Sequence, residues 1–284
     1  MVKNNDTNVI GFSRGLLSTW TFLPDYNLLF DAGDGVSAAL GQKSGSIAHI
    51  VLTHAHFDHV GGLAALLHLR SRVAPNNPVN LYLPGEHSRI NTLLGMLGKQ
   101  AINDLNIIKV EPDKEYPIGG KRILRPFNVR HSPISKGYLI QEPRAKLLPE
   151  YQKLSGKEIA ALRKNDIKVM RDFHHTLVAY TGDTAPMNKD EIHKLKNADL
   201  LITEATFLTT VERLAEGATT HNDLENVTAM VAEINPKRTI INHVSPRYFD
   251  NRVQSKIEGL GFECILGEKH HPTPEEPSES IEIS

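Results

Sequence analysis

The sequence predicts an α/β fold in which two β-sheets pack face to face and helices cover their outer faces. Its 284 residues, 40% of them hydrophobic, are enough for one large domain or two small ones. Short strand-like apolar runs alternate with amphipathic helical runs, but without the strict strand–helix–strand order of a wholly parallel sheet. No internal repeat interrupts this alternation, so a core between two packed sheets is expected.

Buried strands are recognisable as short apolar runs that end in polar residues. In chain order, strands are predicted over 27–31, 47–53, 79–83, 107–110, 123–129, 138–141, 177–181, 200–203 and 239–242. Helices are predicted over 61–70, 86–97 and 222–234. The last begins with Asn222 as N-cap and has Glu225 three residues later, which is typical of a capping box. Residues 269–284 are rich in Pro and Glu and are expected to form a disordered tail after a folded domain of residues 1–268.

Charge and composition exclude several classes of protein. The 32 Lys and Arg residues and 33 Asp and Glu residues give a net charge of −1, which excludes a uniformly basic nucleic-acid coat protein. A single cysteine excludes a disulfide scaffold and a thiolate metal cluster, and it suits a reducing compartment. The sequence contains no apolar run of membrane-spanning length and no signal-peptide pattern at its start. We therefore expect a cytoplasmic protein with no membrane partner.

The most informative feature is a cluster of histidine and aspartate residues within the run Thr-His-Ala-His-Phe-Asp-His at 53–59. His54 and His56 are two residues apart at the predicted end of a strand, where extended backbone directs both imidazoles to one side. Asp58 and His59 follow where the chain turns into a helix. Such nitrogen and oxygen donors suit Zn²⁺, Mn²⁺ or Fe²⁺. The alternative is a set of solvated loop histidines, but the strand-then-helix context favours a metal site.

Three further residues follow apolar strands and offer ligands for a second metal ion. His131, Asp183 and His243 each come after a predicted strand, where side chains from neighbouring strands converge at a sheet edge. Asp183 lies in a Gly-Asp-Thr sequence, where a carboxylate can bridge two cations. Each of the three, taken alone, also fits a turn residue. Together with the cluster at 54–59 they give seven ligands for two metal ions.

These motifs resemble those of the metallo-β-lactamase superfamily and, within it, the ribonuclease Z (tRNase Z) family in its short, plant-type form. The resemblance extends from about residue 10 to 248 and includes further matches at Glu204-Ala-Thr-Phe207, His221, Lys146–Ile159 and His243-x-Ser245-x-Arg247-Tyr248. It implies an αββα sandwich of two mixed sheets with helices outside, two Zn²⁺ per chain, and a homodimer. The implied reaction is cleavage of 3′-extended precursor tRNA through a metal-bridged hydroxide.

The resemblance also implies how the ligands are shared between the two metal ions. One zinc ion would be held by His54, His56 and His131, and the other by Asp58, His59 and His243. Asp183 would bridge them. Asp58 is further implied as the acceptor of a proton from the attacking water.

His221 and Glu204 complete the predicted chemistry. His221 is not needed as a ligand, so we expect it to donate a proton to the leaving 3′-oxygen, and we expect Glu204 to orient and charge it. The alternatives are a helix-terminal His221 outside the site and a Glu204 with no imidazole partner. Arg247 and Tyr248 either contact the substrate or form ordinary structural contacts. Asp31 either braces a zinc-bound histidine or only shapes a turn.

The segment 142–172 is a candidate for gripping RNA. It holds eight Lys and Arg residues and five Asp and Glu residues, a net charge of +3 in an otherwise neutral chain. This charge fits either a strip that binds several phosphates or a solvated amphipathic helix. The Gly/Pro-rich arm that many bacterial members carry between the third histidine and the aspartate is absent, and residues 15–23 differ from the family's usual Gly-rich opening.

Three other functions are consistent with parts of this pattern. A superfamily phosphodiesterase acting on a cyclic nucleotide or another small diester would need the same metal ions, His221 and Glu204. A lactonase or thioesterase would have no need for His221 and Glu204. A catalytically inactive RNA-binding or scaffold protein would be expected to have lost metal ligands.

Overall fold

In the computed structural model, two mixed β-sheets pack face to face with helices outside, which confirms the predicted architecture. The structure describes residues 7–132, 134–248 and 251–267, so the predicted tail lies outside the described residues. Within these ranges, no helix is both long and apolar enough to cross a membrane.

The first sheet is formed by the N-terminal part of the chain. Its strands lie in sequence order, namely β1 (Ile10–Arg14), β2 (Ser18–Leu23), β3 (Leu28–Phe30), β4 (His49–Val51), β5 (Val79–Leu83) and β6 (Leu105–Lys109). The pairing is antiparallel from β1 to β3 and parallel from β3 to β6. The helices of this half are α1 (Val36–Leu40), α2 (Phe57–Val60), α3 (Leu63–Val73), α4 (Ser88–Gly95) and α5 (Lys99–Asn103).

The second sheet has the spatial order β13-β12-β11-β10-β9-β8-β7. Its strands are β7 (Tyr116–Pro117), β8 (Ile123–Asn128), β9 (Lys136–Leu147), β10 (Met170–Tyr180), β11 (Leu200–Glu204), β12 (Arg238–Asn242) and β13 (Glu263–Cys264). The pairing is antiparallel from β7 to β10 and parallel from β10 to β13. The remaining helices are α6 (Gly156–Lys164), α7 (Lys189–Leu195), α8 (Thr210–Ala215), α9 (Leu224–Ile234) and α10 (Asn251–Gly259).

Three apolar layers hold the sandwich together. Strand residues of both sheets form the middle layer, in which the buried rings of Phe30 and Tyr180 stack with their centroids 4.3 Å apart. In the layer outside the first sheet, α3 contributes buried leucines at helical spacing, including Leu63 and Leu67. Helix α9 buries an apolar stripe in the same way against the second sheet. Because the strands are packed on both faces, the polar loops that follow them begin from well-fixed positions.

Strand β4 and helix α9 begin or end at different residues from those predicted. Strand β4 ends at Val51, so His54 and His56 lie in the loop that follows and not at the strand end. Helix α9 has Asp223 as its N-cap, because that side chain accepts a hydrogen bond from the Asn226 amide. The predicted cap at Asn222 was therefore wrong by one residue.

Segment 142–172 forms neither a continuous helix nor a loop. Strands β9 and β10 extend well beyond the predicted 138–141 and 177–181 and pair antiparallel as a ribbon, from His175 opposite Glu142 to Met170 opposite Leu147. Helix α6 lies between them and begins with a capping box at Ser155 and Glu158. We call residues 142–175 the arm. The prediction of short strands was wrong because the arm is largely exposed on both faces and lacks apolar alternation.

Candidate metal centre

The candidate ligands converge at one edge of the sandwich, as expected for residues that follow strands. The loop after β4 and the short helix α2 supply four of them, and loops after β8, β10 and β12 supply His131, Asp183 and His243. Asp58 and His59 lie within α2, where the sequence had suggested only a turn. Both sheets therefore contribute to one cluster.

Side-chain geometry divides the seven residues into two groups. In each group, one potential ligand atom per residue lies within 4.8 Å of the others, and the groups are His54, His56, His131 and Asp183, and Asp58, His59 and His243. A third combination that meets the same distance, Asp183, His221 and His243, shares one residue with each of these two groups. The Asp183 carboxylate lies between them. Its Oδ2 atom is 3.8 Å from Nε2 of both His54 and His131, and 3.4 and 3.2 Å from Nε2 of His59 and His243. The structure thus brings together every predicted ligand, in the predicted groups.

The donor atoms of the cluster fit divalent cations. Nδ1 of His59 and His243 contacts Asp31 and the Thr206 hydroxyl respectively, each at 2.9 Å, and these contacts direct Nε2 of both rings to the centre. Nε2 of His54 and of His59 is buried and has no hydrogen-bond partner in the described part of the chain. Buried polar atoms are rarely left unpaired, and metal-binding histidines usually have their second nitrogen fixed in this way.

Asp31 is fully buried and braces the cluster from beneath. Besides His59, its carboxylate accepts hydrogen bonds from the Thr53 amide at 2.8 Å and the Thr53 hydroxyl at 3.0 Å. The same hydroxyl can then accept from Nδ1 of His54, 2.9 Å away. Of the two alternatives for Asp31, the structure shows the contact with a candidate ligand.

The electrostatics of the cluster keep its carboxylates ionised. Burial raises the pKa of Asp58, but the hydrogen bond with His243 and the charges of His59 and His243 outweigh it and leave the pKa at about 2. Burial likewise opposes ionisation of Asp183, yet the surrounding histidines hold its pKa well below its ordinary value. Burial and the proximity of His59 lower the pKa of His54. Two anions among neutral or cationic imidazoles form a site suited to cations.

His221 lies beside this cluster and contacts Glu204. Its Nδ1 atom is 3.0 Å from Oε1 of Glu204, and its ring stacks on that of His243 with centroids 5.5 Å apart. Burial lowers the pKa of His221, but the charge and hydrogen bond of Glu204 outweigh it and raise the pKa to about 9. The structure therefore places His221 in the site with an acidic partner, whereas its proton-donating role stays a prediction.

Glu204 is held in a buried polar network. Its carboxylate accepts hydrogen bonds from the Thr184 amide at 2.8 Å and from the Thr206 amide and hydroxyl. Because the Thr206 hydroxyl donates to Glu204, its oxygen is left to accept from Nδ1 of His243. Thr206 thus connects the His221–Glu204 pair to a candidate ligand. Thr206 lies two residues after Glu204, but no pattern in the sequence indicates this connecting role.

Arg247 and Tyr248 already have protein partners. Arg247 forms an ion pair with Glu216 at 2.8 Å and lies over the ring of Phe207. The Tyr248 hydroxyl donates to Glu212 at 2.9 Å. Contact with a substrate stays a prediction for both.

The remaining histidines are outside both groups. Among the described residues, six histidines belong to no group of candidate ligands, namely His49, His68, His87, His174, His175 and His193. His270 and His271 lie outside the described residues.

Comparison with known proteins places this chain in a family. Residues 26–244 match the family model of the β-lactamase superfamily domain. The chain is 28% identical over 260 residues to a chloroplastic tRNase Z of Arabidopsis thaliana, covering 87% of this chain and 70% of that protein. It is also 28% identical over 243 residues to the ribonuclease Z of Staphylococcus carnosus, with 78% of each chain covered.

Solved structures share the fold. The metallo-β-lactamase fold protein YhfI of Bacillus subtilis superposes with a TM-score of 0.61 at 18% identity, covering 91% of this chain and 94% of that one. The short form of human tRNase Z superposes with a TM-score of 0.60 at 19% identity, covering 85% and 93%. At these identities the likeness shows the fold alone, which is the metallo-β-lactamase fold.

Proposed function

This chain belongs to the β-lactamase superfamily, and from that premise we propose that it is a metal-dependent endoribonuclease that removes the 3′ extension of precursor tRNA. The observation that carries the proposal is the contact between His221 and Glu204 beside the two ligand groups. A lactonase or thioesterase would not need this pair. The ribonuclease Z relatives support precursor tRNA as the substrate.

The metal ions of the proposal are two Zn²⁺ per chain, and Mn²⁺ or Fe²⁺ would suit the same donors. His54, His56 and His131 would hold one ion, Asp58, His59 and His243 the other, and Asp183 both. Two such cations lower the pKa of a water molecule and stabilise negative charge on a phosphodiester. The buried unpartnered nitrogens of His54 and His59 support this assignment.

The side chains around the metal ions would move the protons. Asp58 is ionised at neutral pH, because its pKa is about 2. As an anion beside the metal ions it would orient the attacking water and take its proton. In His221, Nδ1 is engaged by Glu204, so Nε2 would carry the proton that goes to the leaving 3′-oxygen. In the metal-free protein, the charge and hydrogen bond of Glu204 raise the pKa of His221 to about 9 and so favour the protonated imidazole.

The arm would hold the body of the tRNA. All eight of its Lys and Arg residues between 142 and 172 are exposed, and they lie on the paired strands β9 and β10 or in the segment that joins these strands. Exposed cations on such a segment can contact several phosphates at once. The arm thus replaces the Gly/Pro-rich segment that the sequence lacks.

The proposal includes a homodimer that acts in the cytoplasm, with residues 1–268 as the catalytic domain. The dimer is what the ribonuclease Z resemblance implies, and the single cysteine suits a reducing compartment. Light scattering on the purified protein would test the dimer, and microscopy of a tagged chain would test the compartment.

Cleavage of a 3′-extended precursor tRNA by the zinc-loaded protein tests this function. We expect one cut at the 3′ end of the mature tRNA sequence, which disappears after chelation and returns with zinc. A small diester, bis(p-nitrophenyl) phosphate, is assayed in parallel. Metal-dependent hydrolysis of the small diester with no cut in the RNA would contradict the tRNA proposal and favour the small-diester phosphodiesterase.

A further inference from the structure

We propose that an apolar pocket beside the metal centre binds a nucleobase of one of the two nucleotides that flank the scissile phosphate. This inference rests on the proposed function, because it places part of that RNA substrate. The pocket has a volume of about 570 Å³. It lies at the turn between β1 and β2, and its walls include Phe12, Leu16, Leu17, Trp20, Asp34 and Phe57.

Three large apolar side chains at this pocket are exposed to solvent. Leu16, Leu17 and Phe57 are 83%, 54% and 62% exposed, whereas Trp20 is buried. Single exposed apolar residues are common, but several around one concavity are typical of a binding site. The pocket therefore presents an apolar surface that the fold itself does not fill.

The turn that carries Leu16 is held in a strained conformation next to the metal centre. Leu16 has φ +66° at the third position of the turn 14–17, where glycine or asparagine is favoured. Its amide donates to Oδ2 of Asp58 at 3.0 Å, and the Gly15 amide donates to the Val244 carbonyl at 3.2 Å. Backbone strain of this kind tends to persist at functional sites. These two bonds fix the turn to the two chain segments that carry Asp58 and His243.

The position of the pocket identifies what would enter it. Phe57 precedes Asp58 in the chain, and Leu16 is bonded to the Asp58 carboxylate, so the pocket begins at the metal centre. A group that extends from a phosphate at the metal ions on the Asp58 side would therefore lie toward this pocket. In RNA that group is either the next phosphate or a base.

The chemistry of the pocket favours the base. Apolar walls do not compensate the charge of a phosphate, and the exposed Asp34 carboxylate would repel it. A base has a flat face that can stack on the Phe57 ring, and its amino group can donate to a carboxylate. Apolar and acidic groups together therefore select a nucleobase over the backbone.

Abasic precursor tRNAs provide the test. One abasic RNA lacks the base of the nucleotide before the cut, and the other lacks the base of the nucleotide after it. Wild type and Phe57→Ala are each assayed on these two RNAs and on the intact RNA. We expect Phe57→Ala to lower kcat/KM on intact RNA about tenfold, the scale of one stacked base. On one abasic substrate the two proteins should be equal, because the stacking partner is already missing. Phe57→Trp should retain the wild-type rate.

Controls separate this inference from other causes. Ile107→Ala, which removes an exposed apolar side chain on edge strand β6, should leave cleavage unchanged, and zinc content should be equal in all variants. An equal loss by Phe57→Ala on intact and both abasic RNAs would overturn the pocket while leaving the tRNA function intact. Dissociation of a wild-type dimer by Phe57→Ala would also overturn it, because the patch would then be a subunit interface. If the zinc-loaded wild type cuts no precursor tRNA, the proposed function fails and the inference fails with it.

Discussion

Nδ1 of His221 lies 3.0 Å from a carboxylate oxygen of Glu204, and that carboxylate is completely buried. A buried anion is stable only with several hydrogen-bond donors, and here the Thr184 amide and the Thr206 side chain supply them. The anion in turn stabilises the protonated imidazole. The ionisation state of His221 therefore depends on a residue that lies outside both ligand groups.

Glu204→Gln should shift the pH dependence of cleavage. A general acid must be protonated, so the wild-type rate should fall as pH rises through the pKa of His221, which the charge and hydrogen bond of Glu204 raise. Glutamine removes the negative charge, and the alkaline limb should move toward the ordinary histidine value of 6.5. The measurement is kcat against pH, with Glu233→Gln on the exposed surface as the control. If the alkaline limb of the pH profile is the same in Glu204→Gln and wild type, the limb reports the ionisation of a group other than His221.

The same pair should stabilise the metal-free protein at low pH. Because the pKa of His221 is raised from 6.5 to about 9, its contribution is complete below pH 6.5 and is lost as pH rises through 9. The shift in the pKa of His221 corresponds to about 3 kcal/mol in the free energy of unfolding. Urea unfolding with chelator at pH 6 and pH 9.5 should show a larger loss of stability for the wild type than for Glu204→Gln. Equal losses in both proteins would contradict the assignment.

Asp31→Asn should weaken zinc binding, although Asp31 is not one of the candidate ligands. Asp31 holds Nδ1 of His59, and loss of such a partner lowers metal affinity about 10- to 100-fold. Competition with a zinc chelator measures the change, and Asp190→Asn on α7 is the matched control because Asp190 is exposed. Unchanged affinity would mean that packing alone orients the His59 ring.

Two basic residues of the arm should control the salt dependence of tRNA binding. Lys157→Ala combined with Lys164→Ala removes two exposed charges on α6. If both contact phosphates, the slope of log affinity against log salt concentration should become shallower by about 1.5. Lys43→Ala with Lys99→Ala, exposed on the other half of the protein, should leave the slope unchanged. Identical slopes for both double variants would exclude the arm as the tRNA grip.

The candidate ligands were predictable because their chemistry is local in the sequence. Four of the seven fall within six residues, and the other three each follow an apolar strand, so pattern alone brought them to one edge. The pairing of His221 with Glu204 came from the resemblance and from chemical reasoning. The contact between His221 and Glu204 forms because the loop before α9 lies beside the end of β11, and the spacing of residues in the sequence does not predict this position.

The arm and Thr206 could not be predicted in the same way. The strands of the arm form through their pairing with each other, so residues 142–147 carry no strand pattern of their own. Thr206 is an ordinary strand-end threonine until the fold places it between Glu204 and His243. Leu16 was equally hidden, because its positive φ is unusual for leucine.

The most direct test of the account is the cleavage of precursor tRNA with sulfur in place of the leaving 3′-oxygen at the scissile bond. A thiolate leaves without needing a proton. His221→Ala should therefore cut the normal RNA about 100-fold or more slowly than wild type and cut the sulfur-containing RNA at close to the wild-type rate. His193→Ala, an exposed histidine on α7, should match the wild type on both. An equal defect of His221→Ala on both substrates would contradict the assignment of His221 as the proton donor.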